Sequence, residues 1–332
     1  MVDFVAATGL YRRELLAHCY RMLGSVHDAE DVVQETYLRA WRAYDRFEQR
    51  SSVRTWLYRI ATNACLTALE GRDRRFLPSG LRGPSDDPSA PPEAVPDVAW
   101  LSPIPDALVI QDFDDPATVS ATRDSLRLAL ITALQHLPAK QRAVLILRDV
   151  LAFPAGEVAE MTGTSIAAVK STLQRARARL AEVASDEPRL TGEPTDPATR
   201  ALLDRYIAGF VNADLSELER ALRADAALEV TGSRTWFAGL TTCLEFIRTS
   251  ALGEPGDWRM VPLVANGQPA AAAYLRGDDG RHHAYGISVL STAGTRITRI
   301  TVFGDPTLVA LAGFSATHPA ASATASDAPS PQ

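Results

Sequence analysis

The chain has 332 residues, 46% of them hydrophobic, with 34 basic and 40 acidic side chains and a formal net charge of −6. That length exceeds one compact domain, so two or three cores are expected. The three cysteines, Cys19, Cys65 and Cys243, are scattered without metal-ligand spacing; this suits a reducing compartment better than a disulfide framework and leaves no readable zinc site. No stretch approaches the ~20 apolar residues that span a bilayer, so a cytoplasmic protein with no membrane partner is expected.

Charge is divided unevenly. Residues 76–120 carry 1 basic and 8 acidic side chains, whereas 1–75 carry 12 and 10, and 121–183 carry 9 and 5. Two mildly basic blocks flank an acidic connector, and the charge that matters for nucleic acid is local.

Residues 10–75 show apolar positions at helical spacing and no Pro, which predicts helices throughout. A helix over 28–44 has the apolar set Ala29, Val32, Val33, Tyr37, Ala40 and Trp41 and leaves Glu30, Asp31, Gln34, Glu35 and Arg39 on an acid-rich exposed face. The following segment interleaves Arg54, Arg59, Arg72, Arg74 and Arg75 with Trp56 and Tyr58. That mixture neutralises a phosphate backbone and meets unstacked bases, although Trp56 and Tyr58 serve equally well as core. Pro-rich sequence then predicts a linker over 76–120.

Helical periodicity resumes near Thr122 and continues to Val183. Within it, a short helix with Val158 and Ala159 inward reaches Gly163, which permits a left-handed turn, and Ser165 can cap a second helix. This is a helix-turn-helix. Ile166, Val169, Leu173, Ala176 and Leu180 form one apolar stripe, and residues 165–180 contain four cationic side chains and no acid. A recognition helix in a major groove needs that division; an ordinary solvated amphipathic helix is the bland alternative.

A hydrophilic break over 184–197 precedes an amphipathic helix with Leu203, Tyr206, Ile207, Phe210 and Val211 on one face. Strands are predicted over 227–231, 258–264, 271–275, 283–290 and 296–303. Helices followed by a meander of strands argue for an α+β unit, and 315–332 has too little apolar content to fold.

The runs DAEDVVQETYLRAWRAYDRF and RSSVRTWLYRIATNACLTALEGRDRR resemble region 2 of the extracytoplasmic-function (ECF) sigma-70 factors, and residues 122–183 resemble their region 4. The resemblance implies a non-enzymatic RNA polymerase subunit without cofactor or metal. Its partners would be promoter DNA and the polymerase core, through the β′ clamp helices and the β flap. Asp31, Gln34 and Glu35 would dock on the clamp helices. The loop with Arg50, Ser51 and Ser52, together with Asn63, would bind a flipped base of the −10 element, supported by Arg54, Trp56, Arg59 and Thr62. Arg72, Arg74 and Arg75 would make phosphate contacts at most. Lys170, Ser171, Gln174, Arg175 and Arg177 would enter the major groove of the −35 element. The linker acids Asp86, Asp87, Asp97, Asp112, Asp114 and Asp115 would mimic phosphate in the polymerase's RNA path, or simply solubilise a flexible tether.

Residues 198–314 resemble a SnoaL-like cone in the opening helix, the WFAG and FGDP turns and the ITRITVF strand. The implied fold is multidomain: all-α sigma region 2 (1–75), a linker (76–120), region 4 with its helix-turn-helix (121–183), a second linker (184–197), the α+β cone (198–314) and a tail (315–332). Such cones enclose an apolar cavity suited to a small ligand. Strand alternation puts His283, Tyr285, Ile287 and Val289 on one face, so His283 would enter that cavity with Trp236, Tyr274, Tyr285 or Phe303. Cyclase-type cones use a cavity acid or base, yet no strand pairs a carboxylate with a histidine inward, and a regulatory role is favoured. Two other classes stay open: a conventional helix-turn-helix regulator with a ligand-binding cone, and a cyclase-like enzyme fused to a DNA-binding segment.

Overall fold

The computed structural model describes residues 2–48, 51–110, 115–184 and 193–318. It opens with α1 (Val2–Thr8), α2 (Arg12–Leu23), α3 (Val26–Ala43) and α4 (Val53–Ala68). Gly24 ends α2 in the left-handed region at φ 68, and a Cβ there would lie 2.6 Å from Leu101. Ser25 caps α3 by accepting from the Asp28 amide, and Ser52 caps α4 by accepting from the Thr55 amide. Leu15, Leu16, Cys19, Leu57, Tyr58 and Cys65 are fully buried between them. The helical pattern expected to reach residue 75 stops at Ala68. Beyond it Asp28 draws back Arg72 and Arg75, at 3.0 and 2.6 Å, and Arg74 meets His136 at 2.7 Å, so these three arginines tie the fold together.

The acidic linker is no free tether. Phe76 and Leu101 close residues 76–101 of it into a loop, Phe76 N donating to Ala99 O and Leu101 N to Phe76 O, both at 2.9 Å. The loop between them clasps the C-terminal unit: Ser79 N donates to Glu229 Oε2 at 3.1 Å, Ser85 N to Trp236 O at 2.7 Å and Val95 N to Gly232 O at 3.0 Å. Composition signalled turns correctly but could not show that the backbone groups of those turns find partners elsewhere. Asp86, Asp87 and Asp97 are exposed, and Asp115 caps the next helix; Asp112 and Asp114 lie outside the described residues.

Five helices follow: α5 (Pro116–Asp124), α6 (Leu128–Gln135), α7 (Ala139–Leu145), α8 (Ala155–Thr162) and α9 (Ile166–Ala184). The C-terminal unit holds α10 (Pro197–Val211), α11 (Leu215–Ala221), β1 (Leu222–Val230), β2 (Trp236–Ala238), α12 (Leu240–Phe246), β3 (Trp258–Ala265), β4 (Gln268–Arg276), β5 (His282–Ala293), β6 (Arg296–Phe303) and α13 (Pro306–Leu311). Its sheet has the order β2-β1-β6-β5-β4-β3, with β1 and β6 parallel and the other pairs antiparallel. Trp236, expected in a turn, is on the edge strand β2.

One sheet face, with Ala271, Ala273, Leu290 and Ile300, packs on α10 and α12. The other, with Ala270, Ala272, Tyr274, Ile287, Val289 and Phe303, belongs to the same apolar cluster as the N-terminal helices. The β3–β4 turn, Asn266-Gly267, is buried at the junction. Asn266 Nδ2 donates to Tyr20 Oη and Leu126 O at 2.7 and 2.6 Å, and its Oδ1 accepts from Ile104 N at 2.9 Å. A Cβ on Gly267 would stand 2.6 Å from Arg123.

Candidate nucleic-acid interface

Helix α8 ends on Gly163, left-handed at φ 63 and ψ 41, and Ser165 Oγ accepts from Ala168 N at 3.2 Å to start α9. Val158, Ala159, Val169, Leu173 and Ala176 are buried between the two helices and α7. Ile166, expected in that stripe, is 49% exposed, because the first turn of α9 projects past its partner. Lys170, Ser171, Gln174, Arg175 and Arg177 are all exposed. Two of them are held in place: Arg177 forks onto Asp149 at 2.7 and 2.8 Å, and Arg175 Nη2 donates to Thr172 Oγ1 at 3.2 Å. The result is a cationic helix face open to solvent.

At the start of α4 a cup of about 310 Å³ is lined, among the described residues, by Ala43, Arg46, Phe47, Glu48, Ser51, Trp56 and Arg59. Phe47 stacks on Trp56 with ring centroids 4.6 Å apart, making an aromatic floor edged by a hydroxyl, the Glu48 carboxylate and two arginines. A nucleobase needs such a floor and rim when it leaves its stack. Of the candidate residues here, Ser52, Arg59 and Asn63 are exposed and Ser51 is half-buried; Arg50 lies outside the described residues.

Three others turn inward. Trp56 is 5% exposed and serves as floor, not as a reaching side chain. Thr62 is fully buried against His18 Nε2 at 3.0 Å. Arg54 pairs with Glu14 at 2.9 Å and lies over the Tyr58 and Phe153 rings at 4.9 and 4.7 Å. Helical spacing explains these losses: positions 54, 58 and 62 share the side of α4 that faces α2. Arg46 and Phe47 were missed, although an aromatic just ahead of a polar loop was a visible signal.

On α3, Asp31 and Gln34 are exposed, and Glu35 is half-exposed and paired to Arg39 at 2.6 Å. Trp41, expected inward, is 56% exposed, and Leu38 is 50% exposed. Thr36 takes the core position instead, its Oγ1 donating to Val32 O at 2.7 Å. Residues 31, 34, 35, 38 and 41 recur three or four apart, so acids and two large apolar side chains share one face.

The C-terminal unit encloses a cavity of about 350 Å³ between sheet, α10 and α12. Of the five residues expected there, Tyr285 lines it. Ala273 pairs with Gly286 but Tyr274 with Ala284, so Tyr285 is an extra residue and the alternation from His283 to Val289 breaks at this bulge. Tyr274 and Phe303 consequently face the other side of the sheet. Trp236 donates its Nε1 hydrogen to Arg82 O at 2.7 Å, and His283 sits half-exposed beside Asp279 at 3.0 Å. Tyr206, Phe210, Trp258 and Ser288 line the cavity without having been expected there.

Residues 9–75 match the family model Sigma-70 region 2, and residues 127–180 match Sigma-70, region 4. Over 307 residues the chain is 50% identical to the ECF RNA polymerase sigma factor SigG of Mycobacterium tuberculosis, covering 92% of this chain and 82% of that protein. The chain belongs to the ECF RNA polymerase sigma factors. It is 30% identical over 216 residues to a second one, SigJ of the same organism, covering 64% and 60% of the two chains. The crystal structure of SigJ shares its fold, with a TM-score of 0.59 at 22% identity over 94% of this chain and 100% of that one.

As a sigma factor it is a transcription initiation factor and not an enzyme; it binds core polymerase and promoter DNA, and its α+β tail is part of the fold that it shares with SigJ. This sets aside both the repressor and the cyclase readings. Region 4 lies directly on region 2: Thr55 Oγ1 donates to Glu157 Oε2 at 2.8 Å, Asn63 Nδ2 to Met161 O at 3.4 Å, and Tyr58 and Phe153 meet edge to face at 5.0 Å. The first helix of the helix-turn-helix therefore covers part of α4. Among the described residues no helix is long and apolar enough to cross a membrane.

Proposed function

We propose that this sigma factor is held closed when free and opens as core polymerase and promoter engage it in the cytoplasm. The supporting observation is α8 seated across α4 through Thr55 and Glu157. The −10 and −35 elements are centred roughly 25 base pairs apart, about 85 Å along the duplex, whereas here the two reading units touch. Both elements cannot be read at once until they part.

In the open state the roles divide by chemistry. Asp31, Gln34 and Glu35, with Leu38 and Trp41, dock on the β′ clamp helices, and region 4 docks on the β flap. A base of the −10 element enters the cup over Trp56 and Phe47, met by Ser51, Ser52, Arg59 and Asn63. Lys170, Ser171, Gln174, Arg175 and Arg177 read the −35 element, each good bidentate contact contributing about 1 to 3 kcal/mol. Once released from the cone, the linker lends its acids to the RNA path. The functional divisions in this reading are 1–75, 121–183 and 198–314, with the linkers between.

The test joins cysteines introduced by Thr55→Cys and Glu157→Cys with a short bis-maleimide. Promoter fragments selected with core polymerase and wild-type protein supply the template for run-off transcription. The cross-linked protein is expected to lose at least 90% of its transcript while the same variant, uncross-linked, retains it. Full activity after cross-linking would rule the closed state out as an inactive form.

A further inference from the structure

The cone cavity lies apart from the residues proposed to read promoter DNA, and it is a built site. Its walls are Phe210, Phe246, Trp258, Ile300 and other apolar side chains, and its polar groups are the hydroxyls of Tyr206, Ser233, Ser250, Tyr285 and Ser288. Among the described residues no charged side chain lines it. Its volume of about 350 Å³ lies at the small end of the ~300–1,000 Å³ span of small-molecule sites. Tyr285 reaches it only because of the bulge, and the bulge requires Gly286, where a Cβ would stand 1.9 Å from Phe303 O. Trp258 meets Tyr285 edge to face at 5.3 Å, and its indole N–H is already committed to Ala251 O at 2.8 Å.

One wall comes from outside the cone. Pro92 of the inter-region linker lines the cavity, and Glu93 after it is bonded to the β1–β2 connection. Glu93 N donates to Thr235 Oγ1 at 2.9 Å, Ser233 Oγ and Arg234 N donate to Glu93 O at 3.0 Å, and Arg234 pairs with the Glu93 carboxylate. Ser233 thus touches both cavity and linker.

We propose that the cone cavity binds a neutral, largely apolar molecule with one or two hydroxyl or carbonyl groups, and that this molecule fastens the linker to the cone. Hydroxyls can satisfy such polar groups, whereas an ion would lose its hydration with no counter-charge to replace it. Burial raises the Tyr206 phenol to about 12 and the Tyr285 phenol in the same direction, so both stay neutral hydrogen-bonding groups. A ligand that touches Pro92 gains that contact only while the linker is docked, and by reciprocity the docked linker gains from the ligand. Ligand would therefore favour the closed sigma factor. The coupling rests on the closed-state reading; the binding site does not.

The test titrates the full-length chain with the neutral fluorophore N-phenyl-1-naphthylamine and, in parallel, its anionic relative 1-anilinonaphthalene-8-sulfonate. Saturable one-to-one binding of the neutral dye is expected, with the anion at least tenfold weaker. Filling the cavity with Ala273→Phe should weaken the neutral dye tenfold or more, as should Met260→Trp at the less buried wall, in protein whose thermal transition is unchanged. The pair Pro92→Gly and Glu93→Ala should weaken it about fivefold, and the dye should slow hydrogen exchange over residues 79–97. No saturable binding, equal binding of the anion, or indifference to both filling variants would overturn the site. Dye binding indifferent to the Pro92 and Glu93 changes would overturn the linker coupling. Association with core polymerase is measured on the same preparations: a chain that binds core but no dye defeats this inference alone, and one that binds dye but not core defeats the sigma-factor mechanism instead.

Discussion

His18 shows how one side chain sets a pH limit on region 2. It is fully buried between α2 and α4, its Nε2 3.0 Å from Thr62 Oγ1 and its ring 5.1 Å from that of Tyr58. Burial first, then the positive charges of Arg21 and Arg54, lowers its pKa from 6.5 to about 3. Below pH 6.5 the unfolded chain takes up a proton that the folded chain refuses. The stabilisation is therefore complete above 6.5 and drains away as pH falls toward 3, at up to about 1.4 kcal/mol per unit. Urea unfolding should show about 2 kcal/mol of this loss between pH 7 and pH 5, and His18→Gln should remove that part while keeping the background slope of the carboxylates. Equal losses in both proteins would refute the assignment. Arginine, too, has interior work: Arg21 donates to Ser125 Oγ at 2.6 Å and Arg142 to Gln135 Oε1 at 3.0 Å, both side chains 3% exposed.

At the scale of elements, the β3–β4 turn joins region 2, linker, region 4 and cone at one point. Asn266 adopts φ 56 and is fully buried, and its amide serves Ile104, Leu126 and Tyr20. Asn266→Gly keeps the backbone geometry and removes the amide, leaving a buried N–H and a carbonyl unpaired, so a loss of about 2 to 3 kcal/mol is expected. Asn266→Ala adds the left-handed backbone penalty of about 1 kcal/mol. Chemical denaturation of both variants measures the two parts separately; a loss under about 0.5 kcal/mol for the glycine variant would mean the turn is not a junction. An Asn-Gly pair between strands was readable as a hairpin, but no sequence rule says that a hairpin tip will be buried in another domain. The same divide runs through the chain. Helices α3, α4, α8 and α9 were legible because apolar spacing encodes their buried faces. Trp41 misled because its apolar character outweighed its position one step off the stripe. The cavity residues misled because a single bulged Tyr285 reverses which face later residues occupy. Asp-rich, Pro-rich composition hid a clasped loop, since it reports turns and not where their backbone groups bond.

For the whole molecule, continuity of the core decides how the parts behave together. One apolar cluster runs from Leu15 and Leu57 through Leu101 and Ile104 of the linker and Ile131 and Leu147 of region 4 to Ile287 and Phe303 of the cone. Apolar surface buried between units is worth about 25 cal/mol per Å² only while they stay in contact, so loss of any one unit exposes a face of the others. On the proposed opening, polymerase would supply that free energy as it separates regions 2 and 4, and the acid and apolar face of α3, which this packing leaves uncovered, is the surface proposed to receive it. A second cluster, around Tyr206, Phe210 and Trp258, belongs to the cone alone. Free protein should therefore melt in one main calorimetric transition whose calorimetric and van't Hoff enthalpies agree, as units sharing a core do. Asn266→Ala, by breaking the junction while sparing the cone's own cluster, should split it into two, with the cone melting last. Two transitions in the wild-type protein would mean that regions 2 and 4 are already independent of the cone, and the closed state would lose its energetic basis.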